Sequence, residues 1–152
     1  MKYYERIIQP GETVRMLGRL HWTIYARAWL LILAAVVVAA LTAQDAALAT
    51  PGLIGAAVLL ALGVMIFLRA WLIRATTEIV VTDKRVIHKV GLLARHTAEM
   101  NLSKVETVDV DQGLGGRILG YGAVVIRGTG GSWEPLRGIA SPLAVRNAIM
   151  IG

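Results

Sequence analysis

GGRILGYGAVVIRGTGG occupies residues 115–131, and seven of its seventeen letters are glycine. Such a run is either a phosphate cradle or the turn chemistry of a small β domain. A P-loop requires GxxxxGK followed by Ser or Thr, and a dinucleotide fingerprint requires GxGxxG between a strand and a helix. Neither pattern is present. The glycines from Gly128 to Gly131 instead separate two β-patterned runs, Ala123–Arg127 and Trp133–Arg137, with no helix N-terminus to direct at a phosphate. Turns and bulges account for Gly120, Gly122, Gly128, Gly130 and Gly131. Gly113, Gly115 and Gly116, ahead of Arg117-Ile118-Leu119, let a short helical turn cross one end of a sheet.

Working outward, alternation continues on both sides. TEIVVTDKRVIHKVG predicts strands over Thr77–Val81 and Arg85–Val90, joined by a turn at Thr82–Lys84. LLARHTAEMNL predicts a third strand, with Leu93, Arg95 and Thr97 on one face and Ala94, His96 and Ala98 on the other. KVETVDVD predicts a fourth, whose inward face the pattern leaves open. The chain closes with SPLAVRNAIMIG, where Ser141 suits a helix N-cap and Pro142 the first helical position. Leu143, Ala144, Ala148, Ile149 and Met150 are the apolar contacts expected of that helix. The expectation is about six short strands followed by one helix of about ten residues.

Before this β region lie two uncharged runs of 16 residues, AWLLILAAVVVAALTA (28–43) and LIGAAVLLALGVMIFL (53–68). Each reaches about 24 Å as a helix, and the flanking Trp22–Arg27 and Arg69–Ile73 extend them towards the ~30 Å of a hydrocarbon core. Neither run has a polar face, and the remaining residues, roughly 100, are too few to bury both inside a soluble bundle. They predict a transmembrane hairpin over 22–74, with helices at about 22–43 and 53–73. The loop is at 44–52, where Pro51 and Gly52 suit a turn. All 16 Lys and Arg residues lie outside the runs, five before Trp29 and eleven from Arg69 onward. That asymmetry places both termini on the cytoplasmic side of the membrane, with residues 1–21 and 75–152 cytoplasmic. Trp22, Tyr25, Trp29 and Trp71 fall where an interfacial aromatic belt is expected. The apolar run starts too far from Met1, behind too many basic residues, for a cleaved signal peptide. The absence of cysteine fits a reducing compartment.

The formal charge of +6 does not indicate nucleic acid. It is mostly juxtamembrane: residues 1–28 carry +3 and residues 75–152 only +2. A nucleic-acid domain concentrates charge in its soluble part. His21, His88 and His96 are scattered, without HExxH or paired cysteines, so no metal or cofactor is expected. Asp109 and Asp111 share one strand face as solvent-facing residues do, and no serine sits in GxSxG, so no catalytic residue is assigned. Small residues recur at Ala34-Ala35, Ala39-Ala40 and Gly55-Ala56-Ala57, which permits close helix packing.

Several stretches, TDKRVI (82–87), GLLAR (91–95), VETVDVDQGLGGRILGYGAVVIRGTGG (105–131) and LRGIASP (136–142), with PGE (10–12) and LHWTIY (20–25), closely resemble the bacterial pleckstrin-homology-like membrane proteins. The resemblance implies an α+β membrane protein: a two-helix hairpin, then a bent antiparallel sheet or partial barrel of usually seven strands, closed by a C-terminal helix. Eukaryotic relatives often bind phosphoinositides through the first hairpin, which here is Asp83-Lys84-Arg85 with Lys89 further along. The expected function is a non-enzymatic interaction or scaffolding module at the inner face of the membrane, forming a homo-oligomer. The alternative is an anionic-lipid sensor using Arg69, Arg74, Lys84, Arg85 and Arg95. Arg69 alone reads more simply as a snorkelling anchor. A weaker alternative is a channel subunit, for which Thr42 and Gln44 are the only polar hints.

Overall fold

A computed structural model describes residues 8–91, 96–129, 131–132 and 135–151. The chain is α+β and falls into two compact units, one of Met1–His21 with Arg74–Gly152 and one of Trp22–Ile73. The first unit is therefore discontinuous in sequence, with the second inserted into it.

The inserted unit is a helical hairpin. α1 spans Ala26–Thr42, behind a short 3-10 turn at Trp22–Tyr25, and α2 spans Ala46–Thr76. Both helices are long and apolar enough to cross a membrane, with mean hydropathy of 2.3 and 2.4 in their best windows. α2 starts five residues before Pro51, so most of the stretch expected as a loop is helical. Asp45 explains the early start: its carboxylate accepts from the Ala47 N–H at 2.9 Å, and its carbonyl accepts from Ala49. Pro51 then sits inside the helix, where the Ala47 carbonyl lacks its i+4 donor. Small residues form the packed seam: Ala28 and Ala35 on α1, and Gly52, Ala56, Gly63 and Ala70 on α2 are buried. A Cβ on Gly63 would stand 2.8 Å from Ile32 Cγ1, and one on Gly52 would overlap the Thr42 side chain. The Thr42 hydroxyl donates to the Val38 carbonyl at 2.8 Å, so packing and back-bonding account for it. At the open end of the hairpin, Phe67 stacks on Tyr25 and meets Trp29 edge-on.

Among its described residues, the other unit holds eight strands in two four-stranded antiparallel sheets that do not close into a barrel. β1 (Val14–Gly18), β2 (Glu78–Thr82), β3 (Arg85–Val90) and β4 (His96–Asn101) form the first in that order. β5 (Val105–Asp111), β6 (Tyr121–Gly128) and β7 (Gly131–Ser132) form the second, with β8 (Leu136–Ala140) also pairing β6. β1 is absent from the sequence reading; it precedes the hairpin, yet pairs with the strand that follows it. The sheets are stitched where β1 runs out, by a bridge from Leu20 to Ile139 and the His21 N–H donating to the Gly138 carbonyl. The β2–β3 turn is two residues, Asp83 and Lys84, because Thr82 belongs to the strand. The last strand starts at Leu136, later than expected, and the expected start at Trp133 lies outside the described residues.

Ile79, Val80, Val81, Val86, Ile87, Val124, Ile126 and Ile139 supply the core. Val108 is the buried residue of β5, which settles that strand's inward face. α4, Pro142–Met150, packs on β1, β2, β5 and β6 and so closes over both sheets. Its buried stripe is Pro142, Val145 and Ile149, a helical i, i+3, i+7 set. Leu143 and Met150, expected as contacts, are half exposed because they fall off that stripe. Ser141 holds the cap position in a left-handed conformation (φ 51°) without a side-chain cap bond.

The glycine run resolves into α3, Leu114–Leu119, and β6. Gly113 precedes α3, and Gly115 and Gly116 lie within it. Gly120 ends it at φ 77°, a conformation costly for any residue with a Cβ. A Cβ on Gly122 would come 2.7 Å from the Asp111 carbonyl oxygen, so β6 can leave the helix closely only with glycine there. Gly128 ends β6 and Gly131 opens β7, while Gly130 lies outside the described residues.

Candidate functional site

The β1–β2 ladder has two ends, and the candidate cations divide between them. Val14 pairs with Thr82 at one end, and Gly18 pairs with Ile79 at the other. At ~3.3 Å per residue, the three steps from Ile79 to Thr82 separate the ends by about 10 Å.

At the Thr82 end, Glu12 is buried and grips Arg85. Arg85 Nε donates to Glu12 Oε1 at 3.0 Å and Nη2 to Oε2 at 2.9 Å, while Nη1 reaches Glu99 Oε2 at 2.7 Å. The Thr82 hydroxyl donates to Glu12 Oε1 at 2.7 Å, and the Gln9 N–H donates to Oε2 at 2.9 Å. The Arg85 guanidinium pulls the Glu12 carboxyl from 4.5 down to about 2, against the opposing effect of burial. Arg85 is in turn raised above its ordinary value, chiefly by Glu12. A bidentate pair of this kind is a structural clasp between the N-terminal segment and the β2–β3 hairpin. Beside it, Gln9, Asp83, Lys84, Arg85 and the Asn101–Ser103 turn line an open hollow of about 520 Å³. Lys84 is exposed there, whereas the Arg85 side chain is only 15% exposed and already binds two carboxylates.

At the Gly18 end the chain leaves for the hairpin and returns from it. A cavity of about 180 Å³ lies here, lined by Leu17, Gly18, Arg19, Arg74, Thr77 and Glu78 among others. Two arginines, both exposed, and one glutamate therefore line one small space. Glu78 Oε2 is buried and has no hydrogen-bond partner. Lys89 is the cross-strand neighbour of Glu78 in register, yet makes no hydrogen bond to that oxygen. An unpartnered buried carboxylate oxygen is unusual, since such atoms ordinarily find a donor.

The structure thus places Arg74 at one cavity and Lys84 with Arg85 at another. Arg69 lies in α2 within the hairpin unit, and Arg95 is outside the described residues. Arg19 and Glu78 were not singled out from sequence. Arg19 lies one residue beyond β1 and Glu78 opens β2, and the β1–β2 pairing brings them together. Among the described residues no group of three or more His, Asp or Glu side chains is arranged to hold a metal ion. His21 stacks on Tyr121 at 5.3 Å between ring centroids. Asp109 pairs with Arg127 on the exposed face of β5 and β6.

The sequence model of a family described as bacterial PH domain matches residues 17–150, a span that includes the hairpin. No curated protein and no solved structure gives a match.

Proposed function

This chain belongs to the bacterial PH domain family, and from that premise we propose that it is a membrane-anchored interaction module. In this reading the hairpin spans the bacterial cytoplasmic membrane, both termini are cytoplasmic, and the split β unit is held at the inner face. The observation that carries it is the insertion point: β1 and β2 are adjacent and paired, yet the whole apolar hairpin lies between them in sequence. A sheet interrupted in this way is joined in sequence to the hairpin by both of its legs. The hairpin itself exposes Leu30, Leu33, Val36, Leu41, Leu53, Ile54 and Met65, each about 60% or more, around both helices. Hydrocarbon, or further copies of the hairpin, are what such surfaces suit. The basic residues flank the apolar runs without entering them, as the positive-inside rule requires of a cytoplasmic β unit.

α3 supports the same orientation. Leu114 and Ile118, one turn apart, are 80% and 84% exposed. α3 packs on Tyr121, Tyr121 stacks on His21, and the hairpin begins at the next residue. An exposed apolar turn with Arg117 beside it suits the headgroup boundary.

The role we assign is assembly: copies associate through the hairpin and offer the outer strands of the two sheets to partners. Native mass spectrometry on full-length protein released from its own membrane vesicles tests this. A discrete oligomer supports assembly, and monomer alone at every concentration rejects it. A second reading, recognition of lipid headgroups, is favoured by the pairing of Arg19 with Arg74 in one cavity.

A further inference from the structure

We infer that the cavity between Arg19, Arg74 and Glu78 binds a phosphodiester carrying a primary ammonium group, the chemistry of an ethanolamine phospholipid headgroup. The inference rests on the membrane-anchored reading for the source of the ligand, but its chemistry comes from the cavity alone. Two guanidinium groups present planar forks suited to phosphate oxygens. Glu78 lines the same cavity, and one of its carboxylate oxygens is shut from water without a donor. The terminal torsion of a glutamate is soft, so either oxygen can turn towards the cavity.

The mixed charge of the lining selects among phosphate ligands. A polyphosphate or an inositol phosphate would bring several negative charges against Glu78, which repels them. A glycerol headgroup offers hydroxyl donors but no charge for the carboxylate. A trimethylammonium headgroup carries the charge but has no N–H to donate to it. Only a primary ammonium supplies both. Size narrows the choice further, because about 180 Å³ falls below the ~300 Å³ at which pockets for drug-sized ligands begin. A single headgroup suits that space better than a nucleotide does.

The location also fits. Arg74 stands in the last turn of α2, and Arg19 lies three residues before the first turn of the hairpin. Both are within a few residues of the segments proposed to enter the bilayer, where headgroup phosphates lie.

The test uses full-length protein in mild detergent. It is titrated with short-chain phosphatidylethanolamine, phosphatidylcholine and phosphatidylglycerol, and separately with soluble phosphoethanolamine. Bound copies are counted by native mass spectrometry. We expect the ethanolamine lipid to be retained about tenfold over the other two, the worth of one charge-assisted hydrogen bond. Glu78→Gln, a near-isosteric change, should bring ethanolamine and choline lipids within about twofold of each other. Arg74→Gln should weaken retention of all three. Wild-type protein that does not distinguish ethanolamine from choline overturns the proposal, as does a Glu78→Gln variant that keeps the full preference. Competition by soluble phosphoethanolamine would assign the cavity to a free metabolite, and competition by lipid alone assigns it to the membrane. Carbonate washing of the same membranes tests anchoring separately. Protein that stays in the pellet but shows no headgroup preference refutes the headgroup claim and not the anchoring; protein that washes off refutes anchoring, while the soluble arm still decides the cavity.

Discussion

With its carboxylate shut away from water, Glu12 accepts from both sides of the Arg85 fork and from Thr82 and Gln9. Removing that charge leaves a half-buried guanidinium with Glu99 as its remaining carboxylate. Glu12→Gln should therefore lower stability by about 2–4 kcal/mol, measured by thermal or denaturant unfolding of the detergent-solubilised chain. The pH dependence has a definite sign. Because the folded carboxyl is depressed to about 2 from 4.5, the pair contributes fully above pH 4.5 and is lost as pH falls from there to about 2. The Glu12→Gln variant should show a flatter stability profile over that window than wild type. None of this was legible in the sequence, where Glu12 and Arg85 stand 73 residues apart and Arg85 reads as a candidate anionic-lipid contact on a hairpin. Charge type and turn position are visible locally, whereas a partner brought in by strand pairing across an inserted hairpin is not.

The elements that periodicity defines strongly were the legible ones. The apolar runs gave both long helices, and alternation gave β2, β3 and the body of β6. β1 was missed because VRMLG is short and shows no clean alternation; it is a strand because β2 offers it a partner. The buried face of α4 was misjudged because nine residues allow several stripes, and tertiary contact chose the one through Val145. Val145→Ala should accordingly cost about 1–3 kcal/mol, and Leu143→Ala under about 0.5 kcal/mol, in the same unfolding assay. In the hairpin, the small-residue seam predicts that Gly63→Leu forces α1 and α2 apart at Ile32. We expect a loss of about 1–3 kcal/mol in unfolding by a denaturing detergent, against little change for Gly55→Ala, where a Cβ meets nothing within 4 Å. Equal effects at the two glycines would refute the seam.

At the scale of the molecule, the hairpin interrupts a folded unit instead of preceding it. A chain beginning at residue 75 lacks β1, the Glu12 clasp and the Leu20 bridge between the sheets. It should show no cooperative unfolding transition, whereas a variant in which a short Gly-Ser linker replaces residues 22–73 should show one. Hydropathy marks an apolar segment but says nothing about which strands flank it in space, so this organisation was hidden until the pairing was known. Cysteine labelling reads directly whether the hairpin crosses the membrane with the β unit inside, because the chain has no cysteine of its own. Ala47→Cys, at the exposed hairpin tip, and Asn147→Cys, on the exposed side of α4, would each be treated with a membrane-impermeant maleimide in intact bacterial cells, their outer membrane made permeable where one is present. The account predicts labelling at 47 from outside and at 147 only after the cytoplasmic membrane is opened. Labelling of both positions from the same side would contradict it.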